Sequence, residues 1–231
     1  PWPVIALVGY TNAGKSTLFN RMTNATVRAE DLLFATLDPT MREIRLPGFA
    51  KAILSDTVGF VSDLPTELVA AFRATLEEVL GADLILHVRD MAHPDSEAQR
   101  ADVEAVLASL GLEEGSGPER IEVWNKIDAL DDEARAALLA EAARRDDALA
   151  VSALTSDGID RLTERVSDRL RKDDDLRDIA LQASDGERLA WLHERGQVVD
   201  QRHDDTAIQL KVRLSDVDWA RFQALQTSDL A

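Results

Sequence analysis

Residues 4 to 17 read Val-Ile-Ala-Leu-Val-Gly-Tyr-Thr-Asn-Ala-Gly-Lys-Ser-Thr, and the rest of the chain is best understood outward from them. The apolar run from Val4 to Val8 has the length and composition of a strand buried on both faces. It passes directly into Gly9, Tyr10, Thr11, Asn12, Ala13, Gly14, Lys15 and Ser16, which fit the pattern G-x-x-x-x-G-K-[ST]. The small residues let backbone N–H groups turn inward around a polyphosphate, and a helix starting near Lys15 aims its positive end at the same anion. Lys15 is placed to reach the β- and γ-phosphates, the Ser16 hydroxyl to ligate Mg²⁺, and Thr17 to extend the phosphate-facing set. A glycine turn matching by chance would lack the buried strand before it and the amphipathic helix of Leu18, Phe19 and Met22 after it. The stretch specifies a nucleoside triphosphate; it does not specify the base.

Bulk properties narrow the class. A chain of 231 residues with 45% hydrophobic content suits one α/β domain with a small appendage, or two domains. No stretch approaches ~18 apolar residues, so no membrane-spanning helix is expected, and Pro1-Trp2-Pro3 carries no signal-peptide pattern. The first strand starts almost at once and without an initiator Met, which points to a piece of a longer chain. Absence of cysteine excludes disulfides and thiolate metal sites and fits a reducing compartment. The net charge of −17 argues against a broad, sequence-independent nucleic-acid surface. An RNA partner would have to meet a local basic patch.

Downstream of the first helix, residues 27–38 follow neither helical nor strand periodicity and read as a long loop, a feature that in compact domains is usually functional or mobile. The loop contains Phe34, Ala35, Thr36, Leu37 and Asp38. In a phosphate-loop switch protein a loop threonine gives its hydroxyl to Mg²⁺ and its N–H to the γ-phosphate, and Thr36 is the candidate. Thr40 follows Pro39 and is expected to open the next strand instead. Met41 to Leu46 alternates like an exposed antiparallel strand, and Pro47-Gly48 turns it back into a strand over 51–56. That strand ends in Asp56, Thr57, Val58 and Gly59. Here Asp56 can hold a water on Mg²⁺, and Gly59 lets a backbone N–H approach the γ-phosphate. Leu68, Phe72, Leu76, Val79 and Leu80 then return to helical spacing and are expected to pack on the core. The strand at 84–90 places His87 and Arg89 on one face, for which a paired, structural role is expected.

A third constellation identifies the base. After a helix over 95–110 and a glycine-rich loop, the strand at 121–124 delivers Asn125, Lys126, Ile127 and Asp128. The Asp128 carboxylate can accept from guanine N1–H and the exocyclic amine, donors that adenine does not offer. Asn125 would contact the base edge and tie its loop to the phosphate loop, while the Lys126 stem covers the ring face. The last strand, 148–151, leads to Ser152, Ala153 and Leu154, where a backbone N–H should meet guanine O6. Gly158, Ile159, Leu162, Val166 and Leu170 begin and line the closing helix.

Together these residues, 4–171, resemble a translation-factor-type GTPase domain. More narrowly, residues 9–16, 29–40 (Ala-Glu-Asp-Leu-Leu-Phe-Ala-Thr-Leu-Asp-Pro-Thr), 54–65 (Leu-Ser-Asp-Thr-Val-Gly-Phe-Val-Ser-Asp-Leu-Pro), 71–79 (Ala-Phe-Arg-Ala-Thr-Leu-Glu-Glu-Val) and 123–128 (Val-Trp-Asn-Lys-Ile-Asp) resemble the HflX family. The resemblance implies a cytoplasmic protein that exchanges GTP and GDP, binds the large ribosomal subunit and splits stalled or idle ribosomes. It also implies a long N-terminal region outside this sequence. A metabolic kinase using a phosphate loop is disfavoured by Asn125 and Asp128. A GTPase of RNA modification or ribosome assembly shares the generic motifs.

Phe60 stands where Ras-type proteins carry a glutamine that orients the attacking water, and a phenyl ring cannot do this, so slow intrinsic hydrolysis is expected. Asn12 matches the asparagine that holds K⁺ in related potassium-activated GTPases; a simple turn-stabilising role is the alternative. The reading is therefore an α/β phosphate-loop GTPase fold over residues 1–172, with a mostly parallel sheet flanked by helices. Beyond Asp173-Asp174-Asp175 the order strand, helix, strand, strand, helix describes a small α+β domain, 176–231, with Leu189, Trp191, Leu192, Trp219 and Phe222 inside. Its residues 175–231 hold 11 acidic and 7 basic side chains, so this part is not basic either.

Overall fold

The computed structural model describes residues 2–24, 40–57, 59, 79–113, 117–172, 174–204 and 206–228. Phe34, Ala35, Thr36, Leu37, Asp38, Val58 and Phe60, and the expected helical positions Leu68, Phe72 and Leu76, lie outside these residues. Contacts divide the chain into two compact units, Pro1–Ile44 with Ala52–Leu162, and Arg45–Lys51 with Thr163–Ala231.

The first sheet is built from β1 (Val4–Gly9), β2 (Thr40–Leu46), β3 (Phe49–Asp56), β4 (Leu84–Asp90), β5 (Glu119–Asn125) and β6 (Ala148–Ala150). Among the described residues its strand order is β2-β3-β1-β4-β5-β6. β1 runs parallel to both β3 and β4, and the parallel pairing continues through β5 to β6. The apolar run that begins the chain is therefore central, and Ile5 to Val8 are fully buried, as expected of a strand covered on both faces. Thr40 is the first residue of β2, the structural role expected of it.

Helices α1 (Lys15–Thr23), α2 (Ser96–Ser109), α3 (Asp132–Ala142) and α4 (Ile159–Leu170) follow β1, β4, β5 and β6. α2 buries Val103 and Leu107 against Ala6, Val8, Val79 and Ile85. α3 is capped by Asp131, whose side chain accepts from Ala134 N at 2.8 Å. Leu80, expected on the core-facing stripe with Val79, is instead 46% exposed. Adjacent helical positions point about 100° apart, and here Val79 takes the inward direction.

The second sheet, β7 (Asp175–Gln182), β8 (Gln197–His203) and β9 (Ala207–Leu214), is antiparallel in the order β7-β9-β8. With α5 (Gly186–Arg195) and α6 (Asp216–Ser228) it realises the strand-helix-strand-strand-helix order read from the sequence. Alternation in β9 buries Ile208, Leu210, Val212 and Leu214 beneath Leu192 and Phe222. Trp191 and Trp219 flank Phe222 at ring-centroid distances of 5.7 and 6.0 Å, so both tryptophans serve this core.

Candidate functional site

The chain reverses at the carboxyl end of β1, and Asn12 takes φ 60° within that turn. α1 then starts at Lys15 behind Gly14, with no side chain capping its first turn. Uncapped N–H groups at a helix start form a positive pole suited to an anion. Gly14 has φ 98°, and a Cβ there would lie 2.3 Å from Asn125 Nδ2, so backbone strain and space both select glycine. Lys15 folds back over the loop and donates to Gly9 O and Tyr10 O, each at 3.0 Å. Burial pushes its ammonium down to about pKa 8, with the Asp56 charge opposing that shift.

The parallel register sets Asp56 opposite Leu7, and from there its carboxylate accepts from Ser16 Oγ at 2.7 Å. Thr57 donates to Leu7 O at 2.5 Å, which fixes the segment leaving β3. Gly59 lies against the loop: a Cβ there would sit 3.1 Å from Lys15 Nζ and 2.9 Å from Thr11 Cγ2. The Ser16 hydroxyl and Asp56 carboxylate form an all-oxygen pair, the donor chemistry that Mg²⁺ prefers. Among the described residues there is no cluster of three or more His, Cys, Asp or Glu that could hold a metal. A Mg²⁺ ion held jointly by phosphate oxygens and one or two protein groups does not require one.

Asn125 ends β5 almost fully buried and joins two loops. Its Nδ2 donates to Ala13 O at 2.9 Å, and its Oδ1 accepts from Ala153 N at 3.0 Å. Lys126 takes a left-handed φ of 68°, after which Ile127–Ala129 forms a short 3-10 turn. Ile127 is buried and anchors this turn, and Asp128 accepts from Ser152 Oγ at 2.5 Å. Thr155 N donates to the same Ser152 oxygen at 3.0 Å, and Arg135 pairs with Asp157 at 2.5 Å, shaping the loop around Ala153 and Leu154. The structure thus brings Gly9 to Thr17, Asp56, Gly59, Asn125 to Asp128 and Ser152 to Leu154 to one end of the parallel sheet.

Two residues that carry no motif join them. Asp90 pairs with Lys126 Nζ at 2.7 Å. It sits opposite Asn125 in the β4–β5 register, so only the strand order could have revealed it. Arg21, in the last turn of α1, donates to Ala153 O at 3.1 Å and Leu154 O at 2.7 Å.

Comparison with known proteins gives a consistent picture. Residues 4–126 match the family described as 50S ribosome-binding GTPase, and residues 137–224 match the HflX C-terminal domain. GTPase HflX of Magnetococcus marinus is 45% identical over 96% of this chain and 50% of its own length. GTPase HflX of Caldanaerobacter subterraneus is 43% identical over 92% of this chain and 47% of its own. The chain therefore spans about half the length of the curated relatives it matches. Among solved structures, a GTP-binding protein of Sulfolobus solfataricus in complex with GDP aligns with a TM-score of 0.56 and 26% identity, covering 74% of this chain and 53% of that one.

Proposed function

The chain belongs to the HflX family of GTPases, and from that premise we propose that it binds and hydrolyses GTP as a switch acting on the large ribosomal subunit, there splitting stalled or idle ribosomes. The observation that carries the guanine reading is Asn125, held between Ala13 O and Ala153 N with Asp128 beside it. This joins a phosphate-binding loop to a carboxylate suited to guanine N1–H and N2 amine. A base lacking those donors would leave the Asp128 carboxylate without its partners on the base edge.

In this reading Lys15 leaves its two carbonyl partners for the β- and γ-phosphates, and the N–H groups at the start of α1 face the same charge. Gly59 N–H is assigned to the γ-phosphate, and Thr36 to both γ-phosphate and metal. Ser16 and Thr36 would hold Mg²⁺ directly and Asp56 through a water. Bound there, the ion would supply neutralisation of the phosphate charge. Phe60 cannot orient water, so hydrolysis by the chain alone is slow and a partner or cation must add transition-state stabilisation. Asn12, at φ 60° in the phosphate loop, is the proposed K⁺ contact. Among the described residues no helix is long and apolar enough to cross a membrane; placement in the cytoplasm is part of the ribosome reading.

The test is GTP turnover by this chain with Mg²⁺, in K⁺ and in Na⁺, with and without purified large ribosomal subunits. Stimulation by subunits supports the ribosome as activator, and K⁺ stimulation that vanishes in Asn12→Ala supports the cation role. Turnover unaffected by subunits rejects engagement of the ribosome by these 231 residues. Equal rates in both salts reject K⁺.

A further inference from the structure

We propose that Arg21 is a positioning residue for base specificity, clamping the loop that reads guanine O6 to the helix that holds the phosphates; this rests on the guanine-nucleotide reading above. Its two hydrogen bonds go to consecutive carbonyls, Nε to Ala153 O at 3.1 Å and Nη2 to Leu154 O at 2.7 Å. A peptide unit is planar, with its N–H directed opposite its C=O. Holding the Ala153 carbonyl therefore sets the direction of the Leu154 N–H, and holding the Leu154 carbonyl sets that of Thr155. On the other side Ala153 N is already engaged by Asn125 Oδ1 at 3.0 Å, and Thr155 N by Ser152 Oγ at 3.0 Å. The loop is thus gripped from two directions.

The clamp needs a guanidinium. Two consecutive carbonyls diverge in space, and the planar fork of arginine presents separate N–H groups to each, whereas a lysine ammonium is a single point donor on a flexible stem. The loop requires such help because it turns sharply, with Ser156 at φ 72°, and carries the exposed Leu154 at its tip. α1 then acts as a strut. Its first residue, Lys15, serves the phosphate end, and Arg21, six residues or about 9 Å further along the axis, serves the base end. Arg21 touches neither phosphate nor base in this scheme and acts only through the loop.

The experiment measures binding of three nucleotides to this chain and to its Arg21→Ala and Arg21→Lys variants. GDP is the reference, 6-thio-GDP alters only the O6 acceptor, and IDP lacks only the amine read by Asp128. For Arg21→Ala, GDP affinity should fall about tenfold, the scale of one charge-assisted hydrogen bond, and the GDP preference over 6-thio-GDP should collapse. The preference for GDP over IDP should stay, and Arg21→Lys should recover part of the loss. Uniform weakening of all three nucleotides would make Arg21 merely structural, and unchanged GDP binding would remove its role; either outcome overturns the proposal. Failure of the unsubstituted chain to prefer GDP over IDP would instead overturn the guanine reading beneath it.

Discussion

Lys15 sits under two opposed demands. Enclosure by the phosphate loop disfavours its charge and lowers its pKa to about 8, while Asp56 partly restores it. A bound polyphosphate needs the protonated form, so binding above this pKa must take up a proton. GDP affinity is expected to be level below about pH 7 and to fall by up to about tenfold per pH unit above pH 8, read by titration at successive pH values. A flat profile would contradict the assignment. The sign reverses for stability of the empty site. Between about pH 8 and 10.5 the unfolded lysine still holds a proton that the folded one has lost, so stability contributed by this group rises with pH. Asp128 gives a second prediction. Asp128→Asn places a donor against the guanine amine but suits the O2 acceptor of xanthine. GDP affinity should drop by roughly 10⁴-fold while xanthosine diphosphate becomes the preferred ligand, checked by competition binding. Both roles follow from residue type and motif position, whereas Asp90 and Arg21 are ordinary surface-type residues until the fold sets them beside Lys126 and Leu154.

At the level of elements, β4 carries the sharpest conflict between pattern and content. Leu-Ile-Leu-His-Val-Arg-Asp reads as a buried strand, and His87 and Arg89 are indeed buried at 1% and 5% exposure. α2 resolves the conflict by laying Glu97, Arg100 and Glu104 over the strand, and β5 adds Glu122. Arg89 donates to Glu122 Oε2 at 2.8 Å and also pairs with Glu97; Arg100 donates to Glu122 Oε1 at 2.8 Å, and Trp124 Nε1 to Oε2 at 2.7 Å. His87 Nδ1 approaches Glu104 Oε1 at 3.4 Å, and Arg120 reaches the other oxygen at 2.5 Å. Burial pushes the Glu122 carboxyl up, but the Trp124 and Arg89 hydrogen bonds and the Arg89 and Arg100 charges outweigh it and hold it below the usual range. Its stabilisation is thus present at neutral pH and lost as pH falls through that depressed value. Among the described residues, removing Glu122 alone leaves the buried Arg89 only the exposed Glu97 as a charge partner. Glu122→Ala should cost about 3–5 kcal/mol in urea unfolding, and adding Arg89→Met should return most of it. An additive loss in the double variant would contradict this account. The helical and strand periods of α2 and β4 were legible in the sequence; which carboxylate meets which cation was not.

Across the whole molecule, the unit containing the C-terminal sheet also contains the turn between β2 and β3, and Arg171 is its polar centre. This buried guanidinium donates to Asp174 Oδ2 at 2.8 Å and Arg195 O at 2.7 Å, and lies 4.2 Å from the centroid of the Phe49 ring. Ser167 donates to Pro47 O at 2.5 Å beside it. Burial lowers the Arg171 pKa and raises that of Asp174, with each group opposing the shift in the other. Arg171→Ala leaves buried carbonyls and a carboxyl without their donor. It should destabilise this unit by about 3 kcal/mol in urea unfolding while GDP affinity is retained; equal loss of both would show that the nucleotide site depends on this unit. The sequence by itself determined the parallel α/β class, the three loop motifs and their order, and the rhythm of the C-terminal elements. Such features depend on hydrophobic period and turn chemistry within a few residues of chain. Only the tertiary structure decided that Arg21 reaches a loop 132 residues away, that Asp90 meets Lys126, and that Glu122 neutralises Arg89. These partnerships are set by the order β2-β3-β1-β4-β5-β6 and by the helices laid over it, and no local pattern encodes which strands become neighbours.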